Sequence, residues 1–225
     1  MTDLNIEESL RINVDSISLE GDLAVPANAA GIVLFAHGSG SSRHSPRNRY
    51  VARQLQAAGV GTLLLDLLTR DEELVDARTG HLRFDISLLA DRLGGATAWL
   101  ANDPRTARLK IGYFGASTGA AAALVAAARR PQQISAIVSR GGRPDLAGPA
   151  LPAVIAPTLL IVGGDDAPVI PLNEYALGRL GTTTKKLEIV PGASHLFEEP
   201  GTLDEVARLA AEWFARYLGH GENGG

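Results

Sequence analysis

In the segment KIGYFGASTGAAAALVAAARR, Lys110 to Arg130, a serine stands between two glycines where an apolar run gives way to alanines. Gly115-Ala116-Ser117-Thr118-Gly119 fits the pattern G-x-S-x-G, in which a serine sits on a sharp strand-to-helix turn with its hydroxyl exposed. Glycines two residues to either side remove side chains that would collide across such a turn. The helix that starts there aims free N–H groups at charge forming beside the hydroxyl. A serine hydroxyl is a weak nucleophile until a base takes its proton, so the pattern calls for a histidine and a carboxylate elsewhere in the chain.

Five histidines are available. His195, in VPGASHLFEEP, lies between a strand-like and a helix-like segment and is the candidate base. His37 also follows an apolar run, but it adjoins glycines that suit a different role; His44 and His81 lie in polar surroundings, and His220 is in the tail. The base needs a carboxylate to fix its tautomer and stabilise its cation. LLIVGGDDAPVI supplies Asp165 and Asp166 directly after an apolar run. Asp166 is preferred because it reaches further over the sheet edge; Asp165 is the alternative, and Asp145 reads as a turn residue.

Acyl transfer through a serine also needs two backbone N–H donors facing the oxygen of the tetrahedral intermediate. Thr118, immediately after the serine, supplies one; the loop HGSGSSRHSPRNR supplies the other, at Ser39 with Gly38 next. Arginines cluster nearby in sequence: Arg43, Arg47 and Arg49 in that loop, Arg140 and Arg143 in SRGGRPD. Grouped guanidinium groups favour an anionic substrate. The plainer reading pairs them with loop carboxylates such as Asp66, Asp71 and Asp145.

These residues need elements to hold them. GIVLFAHG, VGTLLLDLL, LKIGYF, ISAIVSR, PTLLIVGG and KKLEIVPG read as strands, most of them continuous apolar runs suited to burial on both faces. ISLEGDLAVP (Ile17 to Pro26) alternates apolar and polar residues and predicts an exposed antiparallel edge strand. Helices are predicted from Ser45-Pro46 to Gly59, from about Phe84 to Ala101, through the alanine-rich segment, and from Thr202 to Leu218 with Thr202 and Glu205 as a capping box. Alternating strands and helices predict a mostly parallel sheet covered on both faces, with ligands at the carboxyl ends of the strands.

The 225 residues suit one domain, predicted over 1–219, with 220–225 as a disordered tail. Hydrophobic residues at 45% and charged residues at 20% describe a soluble globular chain. A net charge of -4 offers no basic surface for nucleic acid, and the absence of cysteine excludes disulfides and thiol catalysis. Ile111 to Ala128 is nearly free of charge, but glycines, Ser117 and Thr118 interrupt it, so no membrane span is expected. The acidic N-terminus lacks the apolar core of a signal peptide, which predicts a cytoplasmic location.

Together HGSG, GASTG, GGDDAPV and GASHLF, each at a strand end, resemble the α/β-hydrolase superfamily and within it the dienelactone hydrolase-like branch. The resemblance runs from about Gly31 to Leu218. It implies the α/β-hydrolase fold, no cofactor and no metal, and a Ser117, Asp166, His195 triad in the chain order of that fold. Dienelactone hydrolases themselves carry cysteine as nucleophile where this chain has Ser117, so the resemblance implies hydrolysis of esters or lactones rather than dienelactone as substrate. Only GGRPDLAGPALPAVIA separates two of the strands, which leaves no room for an inserted cap domain. The partner expected is a small ester or lactone. Acyl transfer to an alcohol or peroxide by the same triad, and a non-catalytic ligand-binding module on the same scaffold, are the competing readings.

Overall fold

A computed structural model describes residues 4–219. Eight strands form one sheet: β1 (Leu4–Val14), β2 (Ile17–Pro26), β3 (Gly31–Ala36), β4 (Gly61–Leu65), β5 (Lys110–Ala116), β6 (Ile134–Arg140), β7 (Thr158–Gly163) and β8 (Lys185–Val190). Their spatial order is β1-β2-β4-β3-β5-β6-β7-β8. The pairs β1–β2 and β2–β4 are antiparallel, and every pair from β4–β3 to β7–β8 is parallel.

The apolar runs are continuous because the sheet is covered on both faces. In β3, Ile32, Leu34 and Ala36 enter one core while Val33 and Phe35 enter the other. In β5, Tyr113 and Phe114 divide in the same way. This is the period-two alternation of a strand with two apolar faces. Helices α3 (Ile86–Asn102), α4 (Thr118–Arg129) and α5 (Ile170–Arg179) cover the first face; α1 (Pro46–Ala57) and α6 (Thr202–Leu218) cover the second. Alanines dominate α4 because it is buried nearly all round, from Thr118 to Leu124 and again at Ala126 and Ala127.

The structure departs from the sequence reading in five places. Ile17–Pro26 is antiparallel as expected but is not an edge, since β1 pairs along its whole length. Strand β1 and helices α2 (Arg70–Thr79) and α5 lie in segments where no element was predicted. The capping box expected at α6 does not form: Gly201 is the cap residue, the Thr202 hydroxyl donates to the Glu199 carbonyl at 2.7 Å, and Glu205 pairs with Arg208. The predicted tail, 220–225, lies outside the described residues. Between β6 and β7 there is only a 3-10 segment, Pro144–Ala153, so no cap domain covers the carboxyl ends of the strands. Among the described residues no helix is long and apolar enough to cross a membrane.

Helix α6 depends on Phe214, which is fully buried and packs so closely on β5 that a Cβ on Gly112 would come within 2.8 Å of its ring. Phe214→Ala is expected to lower the free energy of unfolding by roughly 3–5 kcal/mol, as read from urea denaturation monitored by circular dichroism.

Candidate active site

The turn between β5 and α4 places Ser117 at φ 50, ψ -121, a conformation that L-residues rarely adopt. Its neighbours hold it there. Ser117 N–H donates to the Arg140 carbonyl at 3.3 Å, and the Ser117 carbonyl accepts from Ala120 and Arg143 N–H, each at 3.1 Å. The flanking glycines are needed for closeness: a Cβ on Gly115 would lie 2.4 Å from the Ala120 Cα, and one on Gly119 would lie 2.3 Å from the Ala36 carbonyl oxygen. The elbow is thus pressed against the end of β3, where the HGSG loop begins.

Asp166 follows β7 and His195 follows β8. The loops carrying them touch backbone to backbone: Asp165 N–H donates to the Ala193 carbonyl at 3.0 Å. His195 Nδ1 lies 2.6 Å from Asp166 Oδ2. With Asp166 ionised, Nδ1 carries the proton and donates, which leaves Nε2 as the lone-pair nitrogen. The Asp166 side chain is 9% exposed and that of His195 39%, so the pair is fixed at its base and open at its reactive end. Asp165, the alternative acid, is exposed.

Two supports of His195 carried no signal in the sequence reading. Glu199 accepts from Ser194 N–H at 2.9 Å, which holds its carboxyl below the usual range. Phe197, at φ 56 and 2% exposed, anchors the loop in the core.

His37 has the different role that its glycines suggested. Leu67 N–H donates to its Nε2 at 3.1 Å, so Nδ1 must carry the proton and donate to the Gly38 carbonyl at 2.9 Å. That carbonyl belongs to the peptide whose N–H is that of Ser39, so His37 fixes the plane of the candidate donor. Burial holds His37 below its ordinary value, against the raising pull of the Gly38 carbonyl and Asp66. Thr118 N–H, at the first position of α4, and Ser39 N–H have no partner among the described residues.

The five loop arginines separate, with Arg49 on a different cavity from that of Ser117. Arg43 is surrounded by Glu20, Asp22 and Asp66, and Arg143 pairs with Asp145 at 2.8 Å. Both are occupied within the fold, as is Asp145. Arg47 and Arg140 instead line a cavity of about 260 Å³ together with Ser117, Ser39 and His195. A second cavity of about 660 Å³ holds Thr118 and His37 but neither Ser117 nor His195; the two share Gly38, Ser39, Ser41 and Ser45. The HGSG loop therefore divides one open cleft into two chambers.

Comparison with known proteins places the fold in a family. Residues 19–218 match the Dienelactone hydrolase family. The chain belongs to that family. A crystal structure of dienelactone hydrolase from Anabaena variabilis is 65% identical, with a TM-score of 0.93 over 95% of this chain and 98% of that one. Est1E from Butyrivibrio proteoclasticus, 15% identical, shares the fold, with a TM-score of 0.78 over 94% of this chain and 99% of that one. The sheet order is accordingly that of an α/β-hydrolase, and the family is one of hydrolases. Two Mycobacterium tuberculosis proteins named "Putative phosphoribosyl transferase" are 56% identical over 219 residues, 97% of this chain and 48% of theirs. The chain spans about half the length of those relatives.

Because Gly119 abuts backbone rather than a movable side chain, Gly119→Ala is expected to destabilise this family member by roughly 1–3 kcal/mol or more. Gly178→Ala is the control: the glycine lies within α5 with nothing within 4 Å of an added Cβ. It is expected to leave stability unchanged or raise it by up to about 1 kcal/mol. Paired thermal melts check the contrast.

Proposed function

We propose that this chain is a serine hydrolase that cleaves carboxylic esters or lactones through an acyl-enzyme. The observation that carries this reading is the 2.6 Å contact between His195 and buried Asp166, with His195 on the wall of the cavity that also exposes Ser117. Ser117 Oγ attacks the substrate carbonyl and His195 Nε2 takes its proton. Asp166 stabilises the imidazolium without being protonated. Negative charge moves to the carbonyl oxygen, which the N–H groups of Thr118 and Ser39 receive. Collapse of the intermediate expels the alcohol, to which His195 returns the proton. Water then repeats the sequence on the acyl-enzyme and releases the acid.

The open cleft and the absence of a cap suit a substrate held by short loops. The phosphoribosyl transferase name belongs to proteins about twice as long, whose shared half corresponds to the hydrolase-family region of this chain. We therefore attach ester chemistry, and no phosphoribosyl transfer, to the residues described.

A fluorophosphonate probe is expected to label the wild-type protein at Ser117 and to leave Ser117→Ala unlabelled. Turnover of a short-chain nitrophenyl ester should fall by as much as ~10⁶ in that variant. Full turnover by purified Ser117→Ala would overturn the mechanism.

The two aspartates give a second test. Asp166→Asn is expected to cut kcat by up to ~10⁴ because the histidine loses its tautomer. Asp165→Asn, an exposed change, is expected to leave kcat within a few-fold of wild type. Steady-state kinetics of both variants check the ranking.

A further inference from the structure

Among the described residues the sheet has two free edges, and the chain treats them differently. β1, at one end, carries adjacent Glu7 and Glu8 and a register irregularity between Leu4 and Ile6. Charges and bulges are the devices by which an edge strand turns away another chain. β8, at the other end, lacks such protection. It pairs with β7 in unbroken register, and no proline falls within Lys185–Val190. Its lysines are engaged on their own chain: Lys185 Nζ donates to the Leu180 carbonyl at 2.8 Å, and Lys186 pairs with Glu188. Ile189 is left 44% exposed.

The direction of the β8 backbone is set by β7. The Thr184 and Val190 carbonyls accept from Thr158 and Gly164 N–H at 3.0 and 2.8 Å. Along such a strand, residues alternately turn both backbone groups toward the neighbour and both away from it. The N–H and C=O groups of Lys185, Leu187 and Ile189 therefore point out of the sheet edge, where no described strand meets them. A row of this kind is a template for another strand.

We propose that β8 is the interface of a two-fold homodimer, in which two copies of the strand pair antiparallel about Leu187 and continue the sheet from one protomer into the other. Parity and charge select that register. Hydrogen bonding needs odd-numbered residues opposite odd-numbered ones, so the axis falls on a residue and not between two. An axis at position 186 sets Lys186 against Lys186, and one at 188 sets Glu188 against Glu188; like charges directly opposite are destabilising. An axis at Leu187 sets Lys186 of each copy against Glu188 of the other. These pairs fall at non-hydrogen-bonded positions, where side chains approach most closely. On the other face Leu187 meets Leu187, and exposed Ile189 is covered by the aliphatic stem of Lys185 of the second copy. Antiparallel pairing sends the carboxyl ends of the two sheets in opposite directions, so the two Ser117 clefts open on opposite sides of the dimer. Six-residue strands make a small interface, and Kd is expected on the order of micromolar.

Sedimentation equilibrium of the full chain over roughly 1–100 µM is the test. Reversible association from 23.6 kDa to twice that mass is expected. Glu188→Lys places lysine opposite lysine at both pairs and is expected to weaken association by roughly 10-fold or more. Adding Lys186→Glu restores opposite charges and is expected to return Kd to within about three-fold of wild type. A monomer throughout the range overturns the proposal. So does a dimer that Glu188→Lys leaves intact, which would belong to another face, and so does a loss that Lys186→Glu fails to repair.

Cross-linking tests the register separately. The chain has no cysteine, so introduced thiols are read without background. Lys186→Cys and Glu188→Cys proteins, mixed at about 100 µM and exposed to oxidised glutathione, are expected to form a disulfide-linked dimer, since these positions lie opposite each other at a Cα separation of ~4.5 Å. Either protein alone is expected to link poorly, because equal positions are offset along the strands and lie roughly 8 Å apart. As much linking by one protein alone as by the mixture, or none in the mixture, overturns the proposal.

Discussion

The site depends on one strained residue. Ser117 at φ 50, ψ -121 carries a conformational cost of roughly 1–3 kcal/mol, which persists only where the surroundings over-determine it. They do so through contact. α4 is alanine-rich and buried, so it lies close behind β5, and Gly115 and Gly119 let its first turn press on the ends of β5 and β3. The same compression brings the first N–H of α4 and the HGSG loop to either side of the serine. A larger side chain at any of these points would part the elements that have to meet.

Around that elbow the protein separates two kinds of polar group. His37 is neutral, buried and bonded at both ring nitrogens, and so acts as a fixed strut under the Gly38–Ser39 peptide. His195 is bonded at one nitrogen only and keeps the other toward the cleft. The arginines divide in parallel. Arg43 is fully compensated, whereas Arg140 is buried and uncompensated. In each pair the residue types match, and the difference is whether the surroundings leave hydrogen-bonding capacity unused.

Much of the architecture could be read from residues alone. The apolar runs of β3, β5 and β7 marked strands buried on both faces, and Ser45-Pro46 marked the start of α1. The elements that escaped reading have identifiable reasons. In β1 the alternation of Leu4, Ile6, Leu10, Ile12 and Val14 is broken by Glu8, next to Glu7. α2 leaves Leu74 and Val75 exposed, so no apolar stripe betrays it, although Thr69 and Glu72 form the kind of capping box that could have. At α6 the same pattern misled, because the Thr202 hydroxyl found the Glu199 carbonyl and Glu205 found Arg208.

The sequence by itself determined the chemistry on offer: a serine between spaced glycines, one histidine and one pair of aspartates after strands, and a set of arginines in two loops. Those are matters of local type and spacing, which the chain carries along its length. Only the tertiary structure decided which aspartate meets His195, which histidine is a strut, and which arginine remains without a counter-charge. Glu20 and Asp22 of β2 and Asp66 of the loop after β4 converge on Arg43, and the loops of Asp166 and His195 meet only because β7 and β8 pair in parallel register. Electrostatic pairing acts through space over a few ångströms, so it is settled by the fold that sets those distances.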